Sequence, residues 1–174
     1  MLTFVLIADA ARARFFLVLG ADHPDYTSGP RLREEKDLVN PEGQLTGTEK
    51  FENNKSGRGR ASGGGPAHGL DDHREGHDRE VEKRFAKRIA TDAAKHFLQG
   101  ETGKLIVVAP SRLLGALRSL LPTQLPSKVK VEEVERDLSA QTLPKIEEVL
   151  EQHGLLEPRV VKGRKHRAPG QPLD

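Results

Sequence analysis

At 174 residues, 35% of them hydrophobic and 31% charged, the chain is long enough for one hydrophobic core and too short for two of ordinary size. It has no cysteine, which excludes disulfide staples, thiolate metal sites and a cysteine nucleophile. Its formal charge is only +2, so any affinity for a polyanion must come from local clusters rather than a global field.

The first eight residues are apolar, but Asp9 interrupts them before a secretory core is complete. No stretch reaches the roughly 20 apolar residues of a membrane span. A cytoplasmic protein without membrane contact is therefore expected. Residues 2–8 and 14–19 are short and apolar, and they read as two strands buried on both faces and paired as a hairpin. The intervening residues, 9–13, lack the glycine of a tight turn, so Asp9 is expected to organise it by accepting hydrogen bonds from backbone amides. Residues 20–30 carry the Asp, Ser, Gly and Pro of a loop, and residues 31–39 read as a polar edge strand.

From residue 40 to 70 no period is visible, which marks a long excursion from the body. Within it Lys55, Arg58 and Arg60 stand among Gly57, Gly59, Gly63, Gly64 and Gly65, and residues 53–68 contain no acid. Unopposed cations on so free a backbone suit phosphate contact. The same composition also fits a solvated linker.

The pattern then changes. Val81, Phe85, Ile89, Ala93 and Phe97 recur every fourth residue, which predicts a long helix ending near Leu98. Acids crowd its start and bases its end, the order that the helix macrodipole favours. Residues 105–109 form the most apolar strand, and Pro110 with Ser111 as a cap opens a second helix over 112–121, closed by Pro122. Val129, Val131 and Val134 mark a further strand, and residues 143–153 a last helix with Thr142 as N-cap and Gly154 past its end. Beyond Pro158 the chain turns basic, and Lys162, Arg164, Lys165 and Arg167 form a second cationic cluster on an expected mobile tail. The resulting order, βββαβαβα, is that of an α/β ribonuclease H-like mixed sheet with helices packed on its faces. Residues 1–157 are expected to form one domain, with the glycine-rich loop at about 40–70, and residues 158–174 the tail.

The chemistry that such a fold suggests finds few residues to perform it. A two-metal nuclease needs several converging carboxylates; Asp9 sits where one would, but the central strand ends in Ala109-Pro110-Ser111. His73 and His77 share a helix face, yet a solvated helix start explains them as well. Arg12, Arg14, Arg112 and Arg118, at strand and helix ends, fit a solubilising role. The glycine run matches neither a phosphate-binding loop nor a dinucleotide fingerprint. The expectation is a protein without catalytic residues, bound metal or small-molecule cofactor.

Four segments carry a resemblance: Ile7-Ala-Asp-Ala-Ala-Arg-Ala-Arg-Phe-Phe16, Phe85-Ala-Lys-Arg-Ile-Ala90, Leu105-Ile-Val-Val-Ala-Pro-Ser-Arg-Leu-Leu-Gly-Ala-Leu-Arg118 and Arg136-Asp-Leu-Ser139. In this order they resemble the bacterial host attachment family, over nearly the whole body; the tail and the length of the glycine loop are not shared. That family is similar in turn to the middle domain of archaeal and eukaryotic class-one peptide-chain release factors. There a basic loop bearing Gly-Gly-Gln precedes a long helix and a buried strand, and it reaches the peptidyl-transferase centre. Here Gly63 and Gly64 are followed by Gly65 and Pro66, so the glutamine is missing. The resemblance implies an RNA- or ribosome-associated module without peptide release. Lys55, Arg58, Arg60, Gly63 and Gly64, with Lys162, Arg164, Lys165 and Arg167, would face ribosomal RNA or tRNA. The family name implies an alternative, a protein-interaction or cell-surface attachment factor; a metal-dependent hydrolase at His73 and His77 has least behind it.

Overall fold

The computed structural model describes residues 1–20, 27–28, 31–44, 68–98, 102–157 and 160–161. In chain order these form β1 (Leu2–Ala8), β2 (Arg12–Leu19), β3 (Thr27–Ser28), β4 (Arg31–Val39), α1 (Pro41–Gln44) and α2 (His68–Lys95). They continue with β5 (Gly103–Ala109), α3 (Ser111–Gln124), β6 (Val129–Glu135), α4 (Leu143–Gln152) and β7 (Val160–Val161). Five strands make a mixed sheet in the order β4-β2-β1-β5-β6, and β3 pairs with β7 separately. β1 runs antiparallel to β2 and parallel to β5, which runs parallel to β6.

One compact unit comprises Met1–Leu17 and Glu34–Ala140. Strand side chains alternate between the two faces of a sheet. One face supplies Phe4, Leu6, Ala8, Phe15, Leu105, Val107 and Ala109 to a single core, with Phe85, Ile89 and Ala93 of α2 and Leu113, Leu117 and Leu121 of α3. The alternate residues Val5, Ile7, Phe16, Ile106 and Val108 are also fully buried. Both faces of β1 and β5 are thus shut off from water, as their unbroken apolar runs require. The second unit, Val18–Arg33 and Gln141–Asp174, contains α4, whose Ile146 and Leu150 are buried. There the Glu147 carboxylate accepts a hydrogen bond from the Leu32 amide at 3.0 Å.

Several boundaries differ from the sequence reading. α2 ends at Lys95 rather than near Leu98, because the amides of His96 and Phe97 turn back to Ala93 and Ala94, both at 3.2 Å. That i to i−3 bonding tightens and closes the last turn. α3 passes through Pro122 to Gln124. So near the end the missing amide removes a single bond, and Leu125 still donates to Leu121 at 2.9 Å. Pro110, not Ser111, holds the N-cap position, and neither there nor at Thr142 does a side chain cap the helix. α1 lies in the stretch where no element was expected. Val160 and Val161, placed by composition in a mobile tail, form β7 against Thr27 and Ser28.

Candidate nucleic-acid interface

Open α/β sheets present their sites beyond the carboxyl ends of parallel strands. At the end of β1, the Asp9 carboxylate accepts hydrogen bonds from the amides of Ala11 at 2.7 Å and Arg12 at 2.6 Å. An aspartate thus closes a turn that has no glycine. The same carboxylate accepts the Ser139 hydroxyl at 2.6 Å, and that hydroxyl lies 2.8 Å from Asp137 Oδ1. Arg14 reaches the Ser139 carbonyl at 3.4 Å and grips Glu34 with two bonds, at 3.0 and 2.8 Å. Arg12 grips Asp37 likewise, both bonds at 2.8 Å. These pairs correct the expectation that the strand-end arginines only solubilise: each ties β2 to β4. The hydrogen bond from Arg12 holds the Asp37 carboxyl below its ordinary range, and that from Arg14 does the same for Glu34.

Beside this turn, Ala10, Asn40, Gly43, Asp78, Val81, Glu82 and Arg112 line a cavity of about 150 Å³. Arg112 pairs with Glu82 at 2.6 Å and Arg118 pairs with Glu133, so these arginines too are held by acids. The strand-end groups are engaged with one another, which makes this corner a clamp on the fold. Among the described residues, no three His, Asp or Glu side chains stand together so as to hold a metal. His77 is exposed on α2, and the His73 side chain lies outside the described set.

The outer face of α2 differs. Its apolar stripe, Val81, Phe85, Ala86, Ile89, Ala90 and Ala93, is buried. With 3.6 residues per turn, that stripe forces Lys83, Arg84, Lys87, Arg88, Thr91 and Lys95 outward, and all six are exposed. From Lys83 to Lys95 the helix carries five bases and one acid, Asp92. Asp92 is occupied, by Lys95 at 2.5 Å and by Lys36 of β4 at 2.8 Å. Burial alone would raise its pKa; the two ammonium groups outweigh that and hold it below the ordinary value. Arg84 pairs with Glu42 at 2.9 Å, and both side chains are about half exposed. Lys83, Lys87 and Arg88 form no ion pair with a described residue, and the Arg88 guanidinium rests 5.8 Å from the centre of the Phe85 ring. Arg84, Lys87, Arg88, Thr91, Asp92 and Lys95 line an open groove of about 560 Å³.

A family model described as "Protein required for attachment to host cells" matches residues 4–150. The chain belongs to the host attachment family. No curated protein matches it. The host attachment segment spans β1 to α4 and includes the whole cationic face of α2, whereas β7 and the basic cluster after it lie beyond. No described helix is long and apolar enough to cross a membrane.

The residues singled out from sequence, Lys55, Arg58, Arg60, Gly63, Gly64, Lys162, Arg164, Lys165 and Arg167, lie outside the described set. The cationic face of α2 was read in the sequence only as a complement to the helix dipole. A signal was present: all five bases between residues 83 and 95 avoid the positions of the apolar stripe. The meeting of Asp9 with Ser139 was not foreseen, because 130 residues separate them.

Proposed function

We propose that this host attachment protein is a non-catalytic RNA- or ribosome-associated module, related to the middle domain of class-one release factors. The single observation that carries this reading is the outer face of α2. There a rigid helix presents a run of cations that the described residues neutralise only in part. Lys and Arg side chains of this kind displace the counterions condensed on a phosphate backbone, which yields affinity without sequence preference. The glycine-rich segment bearing Lys55, Arg58 and Arg60 leads directly into α2 in the chain, so both cationic features belong to one stretch. On this reading Gly63 and Gly64 permit close approach of the backbone, and Lys162, Arg164, Lys165 and Arg167 add affinity from the other end. The partner is ribosomal RNA or tRNA, and the compartment is the cytoplasm. The succession of strands, long helix, apolar strand, helix and strand supports a ribonuclease H-like relationship. The absence of glutamine after Gly64 argues against peptide release even on the ribosome.

Sedimentation with ribosomes tests the reading. Co-sedimentation at 50 mM salt and its loss toward 200 mM are expected for a handful of phosphate contacts, which together lose on the order of 10²-fold or more in affinity. Arg58→Ala with Arg60→Ala should weaken the association at every salt concentration. A chain that stays in the supernatant throughout contradicts the proposal. The family description favours a second reading, an attachment or protein-interaction factor. Fractionation separates the two, since an attachment factor should be recovered at the cell surface.

A further inference from the structure

We infer that the outer face of α2 grips the backbone of double-stranded, A-form RNA rather than a single strand. This rests on the module reading above and names the partner surface within it. The exposed side chains from Lys83 to Lys95 are Lys83, Arg84, Lys87, Arg88, Thr91 and Lys95: five cationic arms and one hydroxyl. The two rings of this region, Phe85 and Phe97, are buried in the core at 1% and 5% exposure. Proteins that hold single strands combine cations with exposed aromatic rings on which successive bases stack. Duplex RNA offers no bases to stack, and it is held through phosphates and 2′-hydroxyls. Among the described residues, this face has the groups for the second task and lacks those for the first.

The geometry agrees with the chemistry. Lys83 and Lys95 are twelve residues apart, so at 1.5 Å per residue the cations extend over about 18 Å of a straight helix. Lys87 and Arg88 stand at the middle of that line, and Thr91 follows one turn on, able to donate to a phosphate or accept from a 2′-hydroxyl. Asp92 lies under the same groove, but Lys36 and Lys95 both hold its carboxylate, at 2.8 and 2.5 Å, which blunts its repulsion of phosphate. A helix packed on the core is already ordered, and it meets a stiff duplex at less entropic cost than a flexible strand, which must be ordered on binding.

Fluorescence anisotropy of the full chain with a labelled 16-base-pair RNA duplex, about the span a double-stranded-RNA binder covers, and with one strand of it provides the test. The duplex is expected to bind at least about tenfold more tightly. Lys87→Glu with Arg88→Glu should weaken duplex binding by more than about tenfold and flatten the salt dependence by about two phosphate contacts. Lys87→Ala with Arg88→Ala should do the same to a smaller degree, and far-UV circular dichroism checks that both variants keep the wild-type fold. Equal or tighter binding of the single strand overturns the inference. So does a charge-reversed variant that folds and binds the duplex like wild type. If that variant still co-sediments with ribosomes, this surface is wrong, and the module reading then rests on Lys55, Arg58, Arg60 and the cluster at 162–167 alone. If the wild-type chain binds neither RNA nor ribosomes, both fall.

Discussion

Asp9 shows how one carboxylate can replace a glycine in a turn. It accepts from the amides of Ala11 and Arg12 and from the Ser139 hydroxyl, and so joins the β1–β2 corner to the segment after β6. Hydrogen bonds to a charged group contribute about 1.5–3 kcal/mol each and do not simply add. Asp9→Ala should therefore lower unfolding free energy by about 2–3 kcal/mol, and a double-mutant cycle with Ser139→Ala should show coupling. His96 sets a different sensitivity. Its ring lies 4.5 Å from that of Phe4 and 5.2 Å from that of Phe15, and its Nε2 is buried with no hydrogen-bond partner among the described residues. Burial, reinforced by Lys36 and opposed by Asp92 and Glu35, lowers its pKa from the ordinary 6.5. The unfolded chain thus takes up this proton at a higher pH than the folded one, and stability should fall as pH drops below about 6.5. The carboxyls of Glu34, Asp37 and Asp92 are also lowered, so their contribution is lost only as pH falls below their ordinary values of 4.5, 3.8 and 3.8. Urea titrations should resolve the two windows, and His96→Phe should remove the upper one alone. The turn role of Asp9 was legible because the amides it bonds are its neighbours in sequence; its serine partner was not, because nothing local points across the fold.

Among the elements, α2 was the most legible and its ends the least. A four-residue period fixed the buried stripe, and Phe85, 1% exposed, sits at its middle. Phe85→Ala should destabilise by about 3–5 kcal/mol in chemical denaturation, through lost transfer energy and the cavity left behind. The start of the helix at His68 was obscured because glycine and charge mask any period there, and its end because Phe97 continues the apolar spacing two residues beyond the last helical residue. α1 was invisible for a related reason: four residues cannot show a period. Its place is set by contact. A methyl group on Gly43 would overlap the Ala10 carbonyl oxygen and lie 2.9 Å from Asn40 Nδ2, which itself donates to that oxygen at 2.8 Å. Gly43→Ala should cost about 1–3 kcal/mol, the usual penalty for overpacking, where Gly76→Ala on the open side of α2 should not destabilise.

At the scale of the whole molecule, charge is sorted rather than abundant. Arg12, Arg14 and Arg112 are clamped by carboxylates, and Arg84 and Lys95 of α2 are paired as well, while Lys83, Lys87 and Arg88 face outward with no ion pair to a described residue, so a chain of net charge +2 still presents a local positive surface. Composition alone hides this, because the total averages the clamped and the unclamped. The mixed sheet with a buried centre was legible from apolar runs, whereas the pairing of β3 with β7 was not, since two-residue strands leave no pattern. Membership of the host attachment family rests on residues 4–150 and so includes both the clamp and the cationic helix. The most direct test of the RNA-facing account is to sequence the RNA that co-purifies with the tagged chain from cells, beside the Lys87→Glu, Arg88→Glu variant at equal expression. The account expects structured RNA, ribosomal or transfer, to be enriched with wild type and depleted with the variant; wild-type protein that carries no RNA above background would contradict it.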